Sequence, residues 1–252
     1  MKRIFLLVGL SLTVGCQAQE LSRAVPEVLA TYPHDPEAFT QGLLFEDGRF
    51  YESTGIYGES SLREVVPETG EVLREVELSP DLFAEGLTLV GDRLIQLTWQ
   101  AGVALVYDAD TFEQTDTFSY EGQGWGLCFD GEELVMSDGS ATLTRRGPQT
   151  FAPLGTVVVR QDGEPVEMLN ELECVDGSVY ANIWQTDTIV QIAEDGRVTQ
   201  EIDASSLLTG AERAQLSADA VLNGIAYDPE AETFYLTGKL WPKLFAVRFT
   251  ED

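Results

Sequence analysis

A short phrase recurs along this chain at a spacing that few folds tolerate. Phe83-Ala84-Glu85-Gly86-Leu87-Thr88-Leu89 is preceded by Phe39-Thr40-Gln41-Gly42-Leu43-Leu44-Phe45. It is followed by Gly124-Trp125-Gly126-Leu127-Cys128-Phe129, Leu169-Asn170-Glu171-Leu172-Glu173-Cys174 and Leu222-Asn223-Gly224-Ile225-Ala226-Tyr227. With Gly42, Gly86, Gly126, Glu171 and Gly224 taken as equivalent, the steps are 44, 40, 45 and 53 residues. Self-similarity in the forties with several short strands per period is the pattern of propeller blades, because one blade cannot bury both of its faces alone.

The rest of each period supports that reading. Asp47-Gly48, Gly91-Asp92, Asp130-Gly131 and Asp176-Gly177 each join the phrase to a second alternating run, as does Glu230-Ala231-Glu232 in the last repeat. Such pairs tolerate the positive φ of tight turns and predict hairpins. Third and fourth strands follow, for example Ala104–Tyr107 with Glu113–Phe118 and Thr188–Ile192 with Val198–Ile202. The last repeat has a single strand after its hairpin, Lys243–Phe249, and Val25–Tyr32 at the other end of the chain is the natural partner. Pairing them would close the ring and cover two sheet edges. Residues 204–217 lack strand alternation and read as a short helical insertion before the last blade, which accounts for the long final step. The expected fold is therefore all-β: a five-bladed β-propeller over residues 24–252, closed by its terminal strands.

Before that domain, Lys2-Arg3 and a charge-free run from Ile4 to Gly15 have the shape of a signal peptide, assigned to residues 1–18. Cys16 closes a stretch resembling a lipoprotein cleavage site, so lipidation at Cys16 and ordinary cleavage near Ala18 both stay open. Export is expected, to the periplasm or outside the cell, with the lipid anchor the alternative to free release. No other stretch is apolar enough to span a bilayer. The 15 basic residues against 43 acids give a net charge of −28, which repels phosphate backbones and argues against nucleic-acid binding. A monomer is expected. Cys128 and Cys174 fall in neighbouring phrases and read as two buried small hydrophobes, with a bridge the alternative. The single histidine, His34, reads as a turn residue in Pro33-His34-Asp35-Pro36, and one imidazole cannot build a two- or three-histidine zinc site.

In a propeller the first strand of each blade lines the central channel, so equivalent positions converge on one axis. The position before the recurrent glycine holds Gln41, Glu85, Trp125, Asn170 and Asn223. Trp99 and Trp184 lie fourteen residues beyond Glu85 and Asn170, and Lys239 lies sixteen beyond Asn223. Together they describe a pocket with one acid, one cation, several amides and three indoles. A glutamate among aromatics loses hydration, and its pKa rises toward the range useful for proton transfer. Taken singly, each has a structural explanation: indoles fill gaps between blades and amides cap strand ends. Trp241 lacks a matching partner and reads as packing.

These residues carry a resemblance. Phe39-Thr40-Gln41-Gly42, Glu85-Gly86 with Trp99, Trp125-Gly126-Leu127, Asn170-Glu171-Leu172-Glu173 with Trp184, and Asn223-Gly224-Ile225-Ala226 with Thr237-Gly238-Lys239 are similar to the plant- and bacterial-type glutaminyl-peptide cyclotransferases. The likeness runs from about Tyr32 to Phe249. It implies a five-bladed propeller that converts the N-terminal glutamine of peptides or proteins to pyroglutamate with loss of ammonia, unrelated to the zinc-dependent animal type. It implies Glu85 as acid/base, with Asn170 and Lys239 as donors to the developing oxyanion or as positioners of Glu85. Phe39, Gln41, Trp99, Trp125, Trp184 and Asn223 would then bind the substrate. No cofactor is required, and a structural calcium deeper in the channel stays open. Two other classes remain: a propeller that only binds, and a calcium-dependent lactonase-like hydrolase, for which one acid among five equivalent positions is a thin ligand set.

Overall fold

The computed structural model describes residues 21–251. The expected leader at residues 1–18 and the lipidation site Cys16 lie outside the described residues. The described chain is almost entirely strand. After β1 (Ser22–Pro33), one four-stranded sheet runs β2 (Thr40–Glu46), β3 (Arg49–Thr54), β4 (Ser61–Val65) and β5 (Val72–Glu77) in sequence order. A second sheet runs β6 (Ala84–Val90), β7 (Arg93–Thr98), β8 (Val103–Asp108) and β9 (Gln114–Ser119). A third runs β10 (Leu127–Phe129), β11 (Leu134–Met136), β12 (Thr142–Arg146) and β13 (Pro153–Val158). A two-stranded hairpin, β14 (Arg160–Gln161) and β15 (Glu164–Pro165), then leads into β16 (Leu169–Val175), β17 (Ser178–Ile183), β18 (Thr188–Ile192) and β19 (Val198–Asp203). One turn of helix, α1 (Gly210–Arg213), precedes β20 (Leu222–Asp228), β21 (Thr233–Gly238) and β22 (Lys243–Glu251).

The two ends of the chain meet. β1 pairs antiparallel with β22 from Ala24↔Glu251 to Pro33↔Lys243, and its first residues pair parallel with β19. This joins the last seven long strands and β1 into one sheet of order β16-β17-β18-β19-β1-β22-β21-β20. The turns follow their chemistry: Asp47 and Gly48 have φ of 48° and 72°, and Asp176 and Gly177 have 48° and 75°, the paired positive values of a two-residue hairpin turn. Among the described residues no helix is long and apolar enough to cross a membrane.

The strands β2, β6, β10, β16 and β20 touch in that order, and β20 returns to β2. Their period-2 alternation feeds the clefts on both sides. Leu43 packs with Ala226 and Tyr235 of one neighbouring sheet, while Leu44 packs with Leu87 and Leu94 of the other. Leu127 and Cys128 divide in the same way between Ile95 and Leu172. The core therefore lies between sheets, and a strand buried on both faces needs apolar residues at consecutive positions. The recurrent glycine has a steric cause: a Cβ on Gly42, Gly86 or Gly126 would come within 2.6, 2.5 and 2.1 Å of backbone in the next inner strand.

One expectation is corrected. Cys128 of β10 and Cys174 of β16 are not merely packed: they form a disulfide, with Cα atoms 5.5 Å apart. The adjacency that suggested packing also brings their side chains into bonding range. The short helical insertion expected at residues 204–217 is present as the four-residue α1, capped by Thr209 and Glu212 in a reciprocal capping box. Leu207 and Leu208 are buried with Trp241 in the core between sheets, and that burial ties the segment down as turns. Trp241 is fully buried and its indole donates to the Ala220 carbonyl at 3.1 Å, the packing role expected.

Candidate active site

The start of each inner strand is where the chain departs from regular pairing. Register shifts fall between Thr40 and Gly42, Ala84 and Leu87, Leu169 and Leu172, and Leu222 and Ile225, each adding one residue to the inner strand. A bulge of this kind re-aims the extra side chain. The bulged positions hold Gln41, Glu85, Asn170 and Asn223, and Trp125 sits just before β10. The site is thus a consequence of irregularities repeated at one end of the ring.

A cavity of about 200 Å³ opens there, lined by Phe39, Gln41, Phe83, Glu85, Trp99, Trp125, Asn170, Trp184 and Lys239. Gln185, Ala218, Asp219 and Val221 complete the wall. The rings meet edge to face: Phe39 and Phe83 at 6.1 Å, Phe83 and Trp99 at 5.8 Å, Trp125 and Trp184 at 5.5 Å between centroids. Gln123, exposed at the edge, accepts from the indole N–H of both Trp99 (2.7 Å) and Trp125 (3.0 Å) through one side-chain oxygen. Indoles only donate, so the Gln123 amide is oriented by its partners and fixes two walls at once.

Glu85 is 4% exposed and accepts from the Gln41 side-chain amide at 3.2 Å. Burial pushes its pKa well above the ordinary carboxylate value, against the opposing pull of the Lys239 cation. Lys239 forms no ion pair among the described residues; its Nζ stands 4.8 Å from the centre of the Phe39 ring. Desolvation lowers its pKa to about 8, with Glu85 and Asp219 holding it from falling further. The Asn170 Oδ1 is buried without a hydrogen-bond partner among the described residues, whereas its main-chain carbonyl is held by Ser137 Oγ at 2.7 Å.

Asn223 departs from expectation. It is fully buried and does not line the cavity: its amide donates to the Thr40 carbonyl at 2.9 Å and to Gln41 Oε1 at 3.4 Å. It therefore stands behind Gln41, whose own amide reaches Glu85. His34 is likewise more than a turn residue. Its side chain is 6% exposed and one ring nitrogen lies 2.9 Å from Glu52, which also accepts from Thr40 Oγ1 at 2.6 Å. Burial works against its protonation, but the Glu52 carboxylate overcomes this and leaves its pKa raised. Phe83 went unassigned although it stands two residues before Glu85, as Phe39 stands two before Gln41. Gln123 stands at the same offset, two residues before Trp125, and Gln185 follows Trp184 as Gln100 follows Trp99, so both carry the same signal, whereas Asp219 comes from outside the repeat. Among the described residues no three His, Cys, Asp or Glu side chains converge as a metal-binding group.

Fold and site together define a class: an all-β ring of sheets with, at one end, a mostly aromatic cavity that buries a carboxylate near an ammonium. The sequence matches the glutamine cyclotransferase family over residues 3–249. A glutaminyl-peptide cyclotransferase from Arabidopsis thaliana is 42% identical over 228 residues, 89% of this chain and 71% of the plant protein. The crystal structure of Myxococcus xanthus glutaminyl cyclase has a TM-score of 0.87 and 42% identity, covering 92% of this chain and 100% of that one. This chain belongs to the glutamine cyclotransferase family. U3-55K, with a TM-score of 0.55 over 88% of this chain and 99% of its own, and the RRP9 WD40 repeats, with 0.53 over 88% and 100%, are each 10% identical and share the fold alone.

Proposed function

We propose that this chain cyclises the N-terminal glutamine of peptides to pyroglutamate with release of ammonia, and that Glu85 carries the proton between the two nitrogens. The observation that carries the mechanism is Glu85 itself: a buried carboxylate in the cavity wall, raised in pKa and held by one amide. As carboxylate it takes a proton from the substrate α-ammonium, and the freed amine attacks the γ-amide carbon. The C–N bond forms as the carbonyl π pair moves to oxygen. Glu85 then returns the proton to the amide nitrogen, the oxyanion collapses, the old C–N bond breaks and ammonia leaves. Glu85, again a carboxylate, takes the second proton from the ring nitrogen and passes it to the ammonia or to water. One group serves both transfers because the donor and acceptor nitrogens bond to the same carbon.

Lys239 and Asn170 are the groups free to answer the charges that develop. Lys239, in no ion pair among the described residues, donates to the oxyanion. The unpartnered Asn170 oxygen accepts from the substrate ammonium or amide, and its amide hydrogens serve the oxyanion. Phe39, Phe83, Trp99, Trp125 and Trp184 exclude water and hold the glutamine side chain folded toward its five-membered ring. Asn223 and Gln123 are positioning residues, the first acting through Gln41 and the second through two indoles.

The fold reading that supports this site is a five-bladed propeller forming a single domain over residues 24–252. Its support is that the eight-stranded sheet divides at the parallel β1–β19 pair into two four-stranded halves, which with the three separate sheets make five units around one ring. The test is ammonia and pyroglutamate production from a glutamine-initiated dipeptide, before and after exhaustive chelation. Equal rates in both arms are expected; a loss that zinc or calcium restores would overturn the metal-free mechanism.

A further inference from the structure

The cavity is large enough for one glutamine residue, so the remainder of a peptide substrate must leave across its mouth. Against Phe83, one ring of the cavity wall, packs the loop between β3 and β4, residues 55–60. Gly55 lies so close that a Cβ there would come within 2.3 Å of the Phe83 ring, and the Tyr57 ring stands edge-on to Phe83 at 5.3 Å. Tyr57 is nonetheless 49% exposed and its neighbour Ile56 is 36% exposed, two large apolar side chains side by side, the first of them against a ring of the cavity wall.

Their exposure is built in. Ile56 has φ of 101°, a conformation that a β-branched residue adopts only against steric strain. The loop is held there by main-chain bonds and by Ser60. Gly55 N donates to Phe39 O at 2.8 Å, and Glu59 N and Ser60 Oγ donate to Ile56 O at 3.0 and 2.8 Å. Ser60 Oγ in turn accepts from Ala84 N at 3.1 Å, so the loop is pinned to the residue that precedes Glu85. Retained strain in a rigid loop beside a reaction cavity marks functional sites more often than packing sites.

Resting on the cyclotransferase reading, we propose that Tyr57 and Ile56 form the subsite for the residue that follows the N-terminal glutamine, and that they select an apolar or aromatic side chain there. Tyr57 extends the aromatic wall Phe39–Phe83–Trp99 outward by one ring, so a second-residue side chain laid along it stays continuous with the buried glutamine. Binding energy gathered outside the reacting centre then holds the glutamine in place while it folds on itself.

The test compares kcat/KM for ammonia release from Gln-Phe-Gly, Gln-Leu-Gly, Gln-Gly-Gly and Gln-Glu-Gly. The wild type should favour Gln-Phe-Gly and Gln-Leu-Gly over the other two. Tyr57→Ala should lower the Gln-Phe-Gly to Gln-Gly-Gly ratio about tenfold, mainly through KM, and Tyr57→Phe should keep it. Ile56→Gly should lower the same ratio while raising the melting midpoint, since glycine accepts the backbone conformation. A wild type active on all four peptides without preference overturns the subsite alone. So does an equal loss on every peptide in Tyr57→Ala, which would make the ring structural. A change in sedimentation of Tyr57→Ala with the ratio intact would assign the rim to self-association and also overturn it. No ammonia from any peptide would overturn the cyclotransferase reading, and the subsite with it.

Discussion

Glu85 and Glu171 are both buried glutamates on bulged inner strands, and burial holds both well above the ordinary carboxylate pKa. They differ by one position within the bulge. Glu85 is the first of its pair and lines the cavity, with a single amide contact from Gln41. Glu171 is the second, in the position where the four other repeats place a glycine against the neighbouring strand. It is fully buried, and its two oxygens accept from Leu43 N of β2 at 3.4 Å and Ile225 N of β20 at 2.8 Å. A raised pKa therefore does not identify an acid/base group. In the proposed mechanism access to a substrate nitrogen does, and one step along the strand places Glu85 in the cavity wall and Glu171 outside it.

The comparison is sharpened most by removing the groups around Glu85. Lys239→Ala or Asn170→Ala should slow turnover by roughly 10²–10³-fold with the fold intact. In Lys239→Ala the acid limb of kcat/KM should also move to higher pH, because the cation is what holds the Glu85 pKa down. An unmoved limb would separate the titrating group from Glu85.

On the other side of the comparison, Glu171→Ala strands two buried main-chain donors. It should lower the unfolding free energy by about 2–3 kcal/mol, read by denaturant titration, while kcat/KM well below the melting midpoint stays within about threefold. A large loss of activity in a fully folded Glu171→Ala protein would break the distinction.

The smallest effect is on pH dependence of stability. Glu171, Glu85 and Glu173 all have raised folded pKa values, Glu173 at about 8. A carboxyl with a raised folded pKa stabilises fully below its unfolded value and loses that contribution as pH climbs toward the folded one. The melting midpoint should therefore fall between about pH 5 and pH 8, and fall less in Glu171→Gln. His34, raised by Glu52, acts with the same sign, so the difference between variants and not the wild-type slope is the quantity to read.

Much of this site was legible because it repeats. The phrase around the recurrent glycine located four bulges and the Trp125 position, and the equal offsets of Trp99 and Trp184 followed from blades built alike. What was not legible comes from contacts that no repeat encodes. Asn223 occupies an equivalent position yet turns behind Gln41, because the Thr40 carbonyl is within its reach. The disulfide depends on how two sheets face each other, which no ladder of hydrogen bonds records in sequence. Asp219 arrives from a segment outside the repeat whose sequence says only that a turn is needed. Glu171 stood in plain view as an acid in a glycine position, but that its carboxylate reaches strands on two sides becomes visible only in the closed ring.

The central claim is that, of these two glutamates, only Glu85 moves a proton. The most direct test measures kcat/KM of Glu85→Gln and Glu171→Gln on one glutamine-initiated dipeptide, with folding of each checked by its melting midpoint. Glu85→Gln should lose roughly 10²–10⁴-fold at a near-wild-type midpoint, and Glu171→Gln should lose little activity. Wild-type turnover in Glu85→Gln, or an equal collapse in a folded Glu171→Gln, would contradict the account.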